Sequence, residues 1–457
     1  VITDGAARRL RASSAGARRV VGAATALLFL SGIVGVGSHS ETAGRRHQLP
    51  RLAASIPLAL VSPEQAAVDS EVSRLETFVA GVRGKPFVHE VPVELLAPDQ
   101  FVARLHDDSS GDGPDPLAPL GLSGAGKGPT IRGHAPLDQV EGFYDVLWHR
   151  LVVKGVEITP AVRRVLVHEL THAWQDQHVG LGLRPESSDQ AMAELSLVEG
   201  DAARVERRWV ATLSAEDRAQ ASSPNDTNLD GVIPFGPAFP YVVGQVFVSR
   251  LVLAGGLSRL DGAFASPPMS TAQVLEPERY LRGDKPVTVA RPDPDGSATD
   301  EDVLGELGVL AVLHQAPDVL DAYGMASAWA GDRYVTWTRH DGLPCIRDRI
   351  VATAPDQASV LRNGLATWAA WHGAASVVQE GPLGMVVTSC GSAHPPGPPG
   401  PAASPSATVR PAGVAPPVQL SPQYPTPMPR PSSASTYLPP PSTTTTRPPL
   451  ICLQRCP

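Results

Sequence analysis

VLVHELTHAWQDQH, residues 165–178, is the stretch on which the reading of this chain turns. Within it His168, Glu169 and His172 spell H-E-x-x-H, and His178 follows ten residues after His168. On a helix, side chains four apart lie one above the other on one face. His168 and His172 would therefore aim two imidazoles at one point, as a zinc site requires, with Glu169 beside them. Zinc lowers the pKa of a coordinated water to about 7, and a carboxylate such as Glu169 can take its proton during attack on a peptide carbonyl. Local signals favour a helix here. Thr159 can cap its start, Pro160 occupies the first helical position, where a missing N–H costs nothing, and Gly180 is a natural stop.

A catalytic zinc normally takes three protein ligands. His178 is spaced for a three-histidine site, but the helix would have to break before it, and AWQDQ contains no breaker. In a continuous helix His178 lies roughly 9 Å further along the axis than His172 and about 120° round from it, out of reach of one ion. A carboxylate from a second helix, about 188–213, is the alternative: AELSLVEGDAARVERRW offers Glu199, with Glu194 and Asp201 as rivals. Asp176 and Asp201 are candidates to orient a ligand histidine from behind. Glu206 reads as a solvated helix face.

Composition narrows the classes. The chain has 457 residues, 42% of them hydrophobic, enough for one large domain or two medium ones with appendages. A net charge of −8 leaves no basic footprint for nucleic acid. Residues 1–40 read as an export signal or N-terminal membrane anchor, five arginines preceding the apolar run VVGAATALLFLSGIVGVG at 20–37. Either form places the remainder outside the cytoplasm, secreted or membrane-anchored. Residues 41–61 follow as a tether, 62–390 as the folded domain, and 391–457 as a disordered Pro/Ser/Thr-rich tail holding about twenty of the 47 prolines. Four cysteines suit an oxidising compartment, with Cys345–Cys390 the favoured bridge. GLSGAGKG at 121–128 has a phosphate-loop look, but Gly128 stands where a Ser or Thr should hold magnesium, so it reads as a glycine loop.

Coarse periodicity predicts a helix at 62–84, a strand in KPFVHEVPVELLA, and two strands or one bent strand over 142–155. Further helical stretches are expected at 241–254, 301–315, 317–330 and 356–372, with strand-like RYVTWTR and GMVVTS. The fold class expected is α+β and predominantly helical, with a small sheet preceding the HExxH helix. LVV at 151–153 is the strand expected to pair with substrate backbone.

VLVHELTHAWQD resembles the active-site helix of thermolysin-like gluzincins, and VEGDA resembles the segment that supplies the glutamate ligand in gluzincin aminopeptidases. FPYVVGQVFVSRL, 239–251, is similar to the stretch of the same enzymes whose tyrosine stabilises the oxyanion. The resemblance implies a gluzincin-like zinc metallopeptidase with His168, His172 and Glu199 as metal ligands, Glu169 as general base and Tyr241 as oxyanion donor. The span 62–390 also looks like a family of uncharacterised exported bacterial HExxH proteins. It departs from them in STAQVLEPERY, 270–280, where Glu276 replaces a histidine, which puts any catalytic help from that position in doubt. No element for capturing a free N-terminus is present, so endopeptidase action on a protein or peptide substrate is expected. The alternative is a catalytically silent zinc-containing binding or structural module at the cell surface, its tail associated with the cell wall.

Overall fold

The computed structural model describes residues 63–106, 116–122, 140–181, 185–222 and 233–391. The expected export segment, the tether, most of the glycine loop and the Pro-rich tail lie outside these residues.

Among the described residues the chain is mixed α+β and mostly helical. It runs through α1 (Pro63–Arg83), β1 (Val93–Leu96), α2 (Pro98–His106), β2 (Gly142–Asp145), β3 (Arg150–Lys154), α3 (Pro160–Val179) and α4 (Ser188–Val210). Then come α5 (Ala215–Gln220), α6 (Phe239–Ala265), α7 (Thr271–Leu275), α8 (Pro277–Arg282), β4 (Ala298–Asp302), α9 (Gly305–His314) and α10 (Ala322–Ala326). The last described part holds β5 (Trp329–Thr338), β6 (Pro344–Ala352), α11 (Pro355–His372), β7 (Ala375–Glu380) and β8 (Gly384–Cys390).

The sheet before α3 has the order β1–β3–β2, with β3 parallel to β1 and antiparallel to β2. Leu151–Val153 therefore has partners on both sides, which corrects the expectation that this strand offers an edge to substrate. The outer strands are β1 and β2. Segment 85–97 contributes only Val93–Leu96 as strand, because Pro86 and Pro92 withhold backbone donors from a ladder.

A second sheet, β4–β5–β6–β8–β7, is antiparallel throughout; its β5 and β8 correspond to the strand-like RYVTWTR and GMVVTS, while its other three strands and their assembly into one sheet were not expected. It takes residues from two segments expected to be helical: 301–302 belong to β4, and of 317–330 only Ala322–Ala326 is α-helical, with β5 starting at Trp329. Cys345 and Cys390 are paired residues across β6 and β8 and form a disulfide. In β6 the alternation that marks a half-buried strand is hidden, since a charged residue, Asp348, occupies a buried position between Arg347 and Arg349.

Asp348 has an unusual neighbour in Asp332 of β5, which accepts from the Leu304 and Gly305 backbone N–H groups and from Trp329 Nε1. No donor among the described residues reaches Asp348 itself. The two carboxyls can share their hydrogen bond only if a proton stays between them, and the donor-poor Asp348 is its place. Burial, reinforced by the charge of Asp332, pushes Asp348 well above its ordinary 3.8. Below that value folded and unfolded chains both hold the proton, so Asp348 is neutral for stability. Above it only the unfolded chain ionises without cost, so the group destabilises the fold increasingly as pH rises. Asp348→Asn should therefore raise the melting temperature at pH 8, and scans at falling pH should show the gain shrinking towards zero. A gain independent of pH would contradict this.

The site is positioned by the crossing of α4 and α6. A Cβ on Gly200 would strike the Gly244 carbonyl, and one on Gly244 would strike the Ser196 carbonyl, so only glycine permits this approach. Glu199 and Tyr241 lie one residue and three residues before these glycines, and the crossing brings them to one place. Gly236–Ala265, which contains α6, passes for a membrane span by length and composition, with mean hydropathy 1.4, but α6 kinks at Gly255 and Gly256, whose backbone is not helical. Here its Phe239, Val243, Phe247, Val248 and Leu251 are buried in the core.

Candidate metal centre

α3 starts as its sequence suggests. The Thr159 hydroxyl accepts from the Val162 N–H, and the helix then runs unbroken to Val179 before Gly180. His168 and His172 stack on its inner face with ring centroids 4.8 Å apart. α4 is capped by Ser187, which accepts from the Gln190 N–H, and carries Glu199 into the same space. Glu199 Oε2 lies 3.1 Å from His168 Nε2 and 3.4 Å from His172 Nε2. One ligand atom from each of the three residues falls within 4.8 Å of the others, and all three residues are buried.

The electrostatics follow from that packing. Burial favours neutral imidazoles, yet hydrogen bonds and charge from Glu199 and Glu206 outweigh it and hold the His168 pKa well above its usual value. His172 is raised against burial by the charge of Glu199. Burial alone would lift Glu199, but the two imidazoles bring it down to about 2. Glu199 and the two imidazoles thus favour one another's charged forms, and a cation binding there would compete with protons.

Glu169 is buried close enough to His172 and Tyr241 for its charge to act on both. Tyr241 comes from the first turn of α6, its ring centroid 5.9 Å from that of His168. Its hydroxyl is buried beside the Glu199 carboxylate. Burial and the charges of Glu199 and Glu169 push its pKa well up, so it remains a phenol able to donate.

The remaining candidates are placed elsewhere. His178 donates from Nε2 to the Pro86 carbonyl at 2.8 Å and packs on Trp174, pointing away from the centre as continuous helix geometry requires. Glu194 accepts from Gln190 and is not in the ligand group. Asp176 does not orient a ligand; it accepts from the Tyr144 hydroxyl and lies 3.0 Å from His149 Nδ1. Asp201 touches no histidine directly. Glu276 pairs with Arg279 and lines a cavity of about 510 Å³ whose lining includes none of the centre's residues.

Glu206 is the main correction. Expected on a solvated face, it sits 2.9 Å from His168 Nδ1 and is paired on its other oxygen with Arg164. Its separation of seven from Glu199 is two helical turns, so both carboxylates project from one side of α4, a spacing that could have revealed it. A carboxylate behind a ligand histidine sets its orientation and raises its basicity. Glu206→Ala should weaken zinc binding roughly 10–100-fold, measured by competition with a chromogenic chelator. The same change should lower the melting temperature, because Arg164 loses its counter-charge.

No family model, curated protein or solved structure matches this chain. The resemblance to gluzincins rests on the motif residues alone.

Proposed function

We propose that the chain is an exported zinc-dependent metallopeptidase, and that it hydrolyses peptide bonds within protein or peptide substrates outside the cytoplasm. The observation that carries this reading is the convergence of His168, His172 and Glu199 beside Glu169 and the buried Tyr241 hydroxyl. The donor set suits zinc: two imidazoles and one carboxylate form a standard catalytic ligand group. His172 Nε2 and His168 Nε2 both face Glu199 Oε2, at 3.4 Å and 3.1 Å, so the donor atoms converge on one point.

When bound, zinc would polarise the scissile carbonyl and bring the pKa of a water close to neutrality. The chain's own groups supply the rest. Glu169 takes a proton from the attacking water and returns it to the departing amine nitrogen, so no net proton is consumed. Tyr241, kept as a phenol by its surroundings, donates to the oxyanion as the carbonyl carbon becomes tetrahedral.

Burial of the centre favours one second reading. His168, Glu169, His172 and Glu199 are each no more than 7% exposed, as in a zinc-holding structural module without turnover. Purified protein should contain one zinc per chain and cleave a peptide library. Chelation should abolish cleavage and lower the melting temperature, and added zinc should restore both. Stoichiometric zinc with no cleavage would leave the structural module standing.

A further inference from the structure

Gln175 lies between His172 and a buried charge network, and its amide is fixed at every polar atom. Its Nε2 donates to the Val198 carbonyl at 3.0 Å and to Asp201 Oδ2 at 3.1 Å. Both partners are acceptors, so the NH₂ end must face them. The carbonyl Oε1 is then left facing His172 Nδ1 at 3.0 Å, and that contact is a hydrogen bond only if Nδ1 carries the proton. Asp201 is held in turn by Arg204 Nη2 at 3.1 Å and by Arg83 Nε at 3.3 Å. Arg83 comes from the last turn of α1, lies over the Trp174 ring at 4.2 Å and also binds Asp261.

We infer that Gln175 is the positioning residue of His172: an amide locked by Val198 and Asp201 that keeps the proton on Nδ1 and leaves Nε2 for the metal. The inference rests on the zinc-site reading above and adds how α1 and α4 orient a ligand of α3. It also explains why the two histidines have different partners. His168 is backed by a carboxylate whose charge Arg164 balances. With Glu199 and Glu169 ionised, a divalent cation would be neutralised by these two alone. A neutral amide behind His172 sets the ring without adding a third negative charge, which a carboxylate there would do. It would also face Asp201 and the Val198 carbonyl with no proton to offer.

Two measurements on the full chain test this. In metal-free wild-type protein labelled with nitrogen-15 at histidine, long-range NMR correlations should show a proton on His172 Nδ1, whether or not Nε2 is protonated as well. The signal is assigned by its disappearance in His172→Asn. A bare Nδ1 would overturn the inference, and this readout needs neither zinc binding nor a variant at Gln175. In the second measurement, Gln175→Met, similar in length but unable to accept this bond, should bind zinc roughly 10–100-fold more weakly and shift the visible bands of the cobalt-substituted protein. Gln175→Glu should fare no better than Gln175→Met, and adding Asp201→Asn should recover part of its loss by restoring a donor. A folded Gln175→Met with unchanged affinity and cobalt spectrum would overturn the inference. If wild type binds no zinc, the metallopeptidase reading fails, while a bare Nδ1 would still overturn the role of Gln175.

Discussion

Glutamine in place of Glu169 should leave the zinc content unchanged and reduce kcat/KM on the order of 10²–10⁴-fold, the range general acid–base catalysis supplies. The substitution conserves shape and removes only the ability to take and return a proton. Glu169 is outside the ligand group of His168, His172 and Glu199, so metal affinity has no reason to fall with it. It is buried, and its charge is one that raises the Tyr241 pKa. Losing that charge should ease Tyr241 downward without ionising it near neutrality. The measurement pairs zinc stoichiometry with peptide hydrolysis for wild type and variant. Equal hydrolysis by the two, with zinc present in both, would remove Glu169 from the chemistry and the peptidase reading with it.

The second large effect concerns the third ligand. Glu199→Ala should cost zinc affinity well beyond the 10–100-fold expected when only an outer partner is lost. Glu199 Oε2 faces both ligand imidazoles, and two histidines on one helix do not complete a catalytic zinc site. His178→Ala should leave affinity nearly intact, since that side chain is spent on the Pro86 carbonyl and Trp174. Chelator competition on the two variants gives the ranking directly. Tight binding by Glu199→Ala with loss in His178→Ala would restore a three-histidine centre and require α3 to break before Val179.

The active helix was legible because all its determinants are local. Cap, proline, periodic apolar residues and terminal glycine lie within twenty-odd neighbouring positions and agree with one another. Of the five-stranded sheet only β5 and β8 were legible as strands, because its pairings cross long separations and β6 buries a carboxyl where alternation calls for an apolar residue. Glu206 was misread for a related reason. A charged residue late in a helix rich in Arg207 and Arg208 looks solvated until another helix, bringing His168 and Arg164, is packed against it.

By itself, then, the sequence determined which helix carries the two histidines and the glutamate between them, and that His178 must leave that helix in another direction. Helical geometry dictates both, because spacing along one helix converts directly into direction in space. The tertiary structure decided what stands behind each ligand. Gly200 and Gly244 let α4 and α6 touch backbone to backbone, which sets Glu199 and Tyr241 at the histidines. Glu206 became a partner of His168, and the Gln175 amide beside His172 was locked by Val198 and Asp201, only once α3 and α4 closed on one another. Spacing along α3 and α4 says which side chains share a face, but which face meets which depends on through-space distances between the helices.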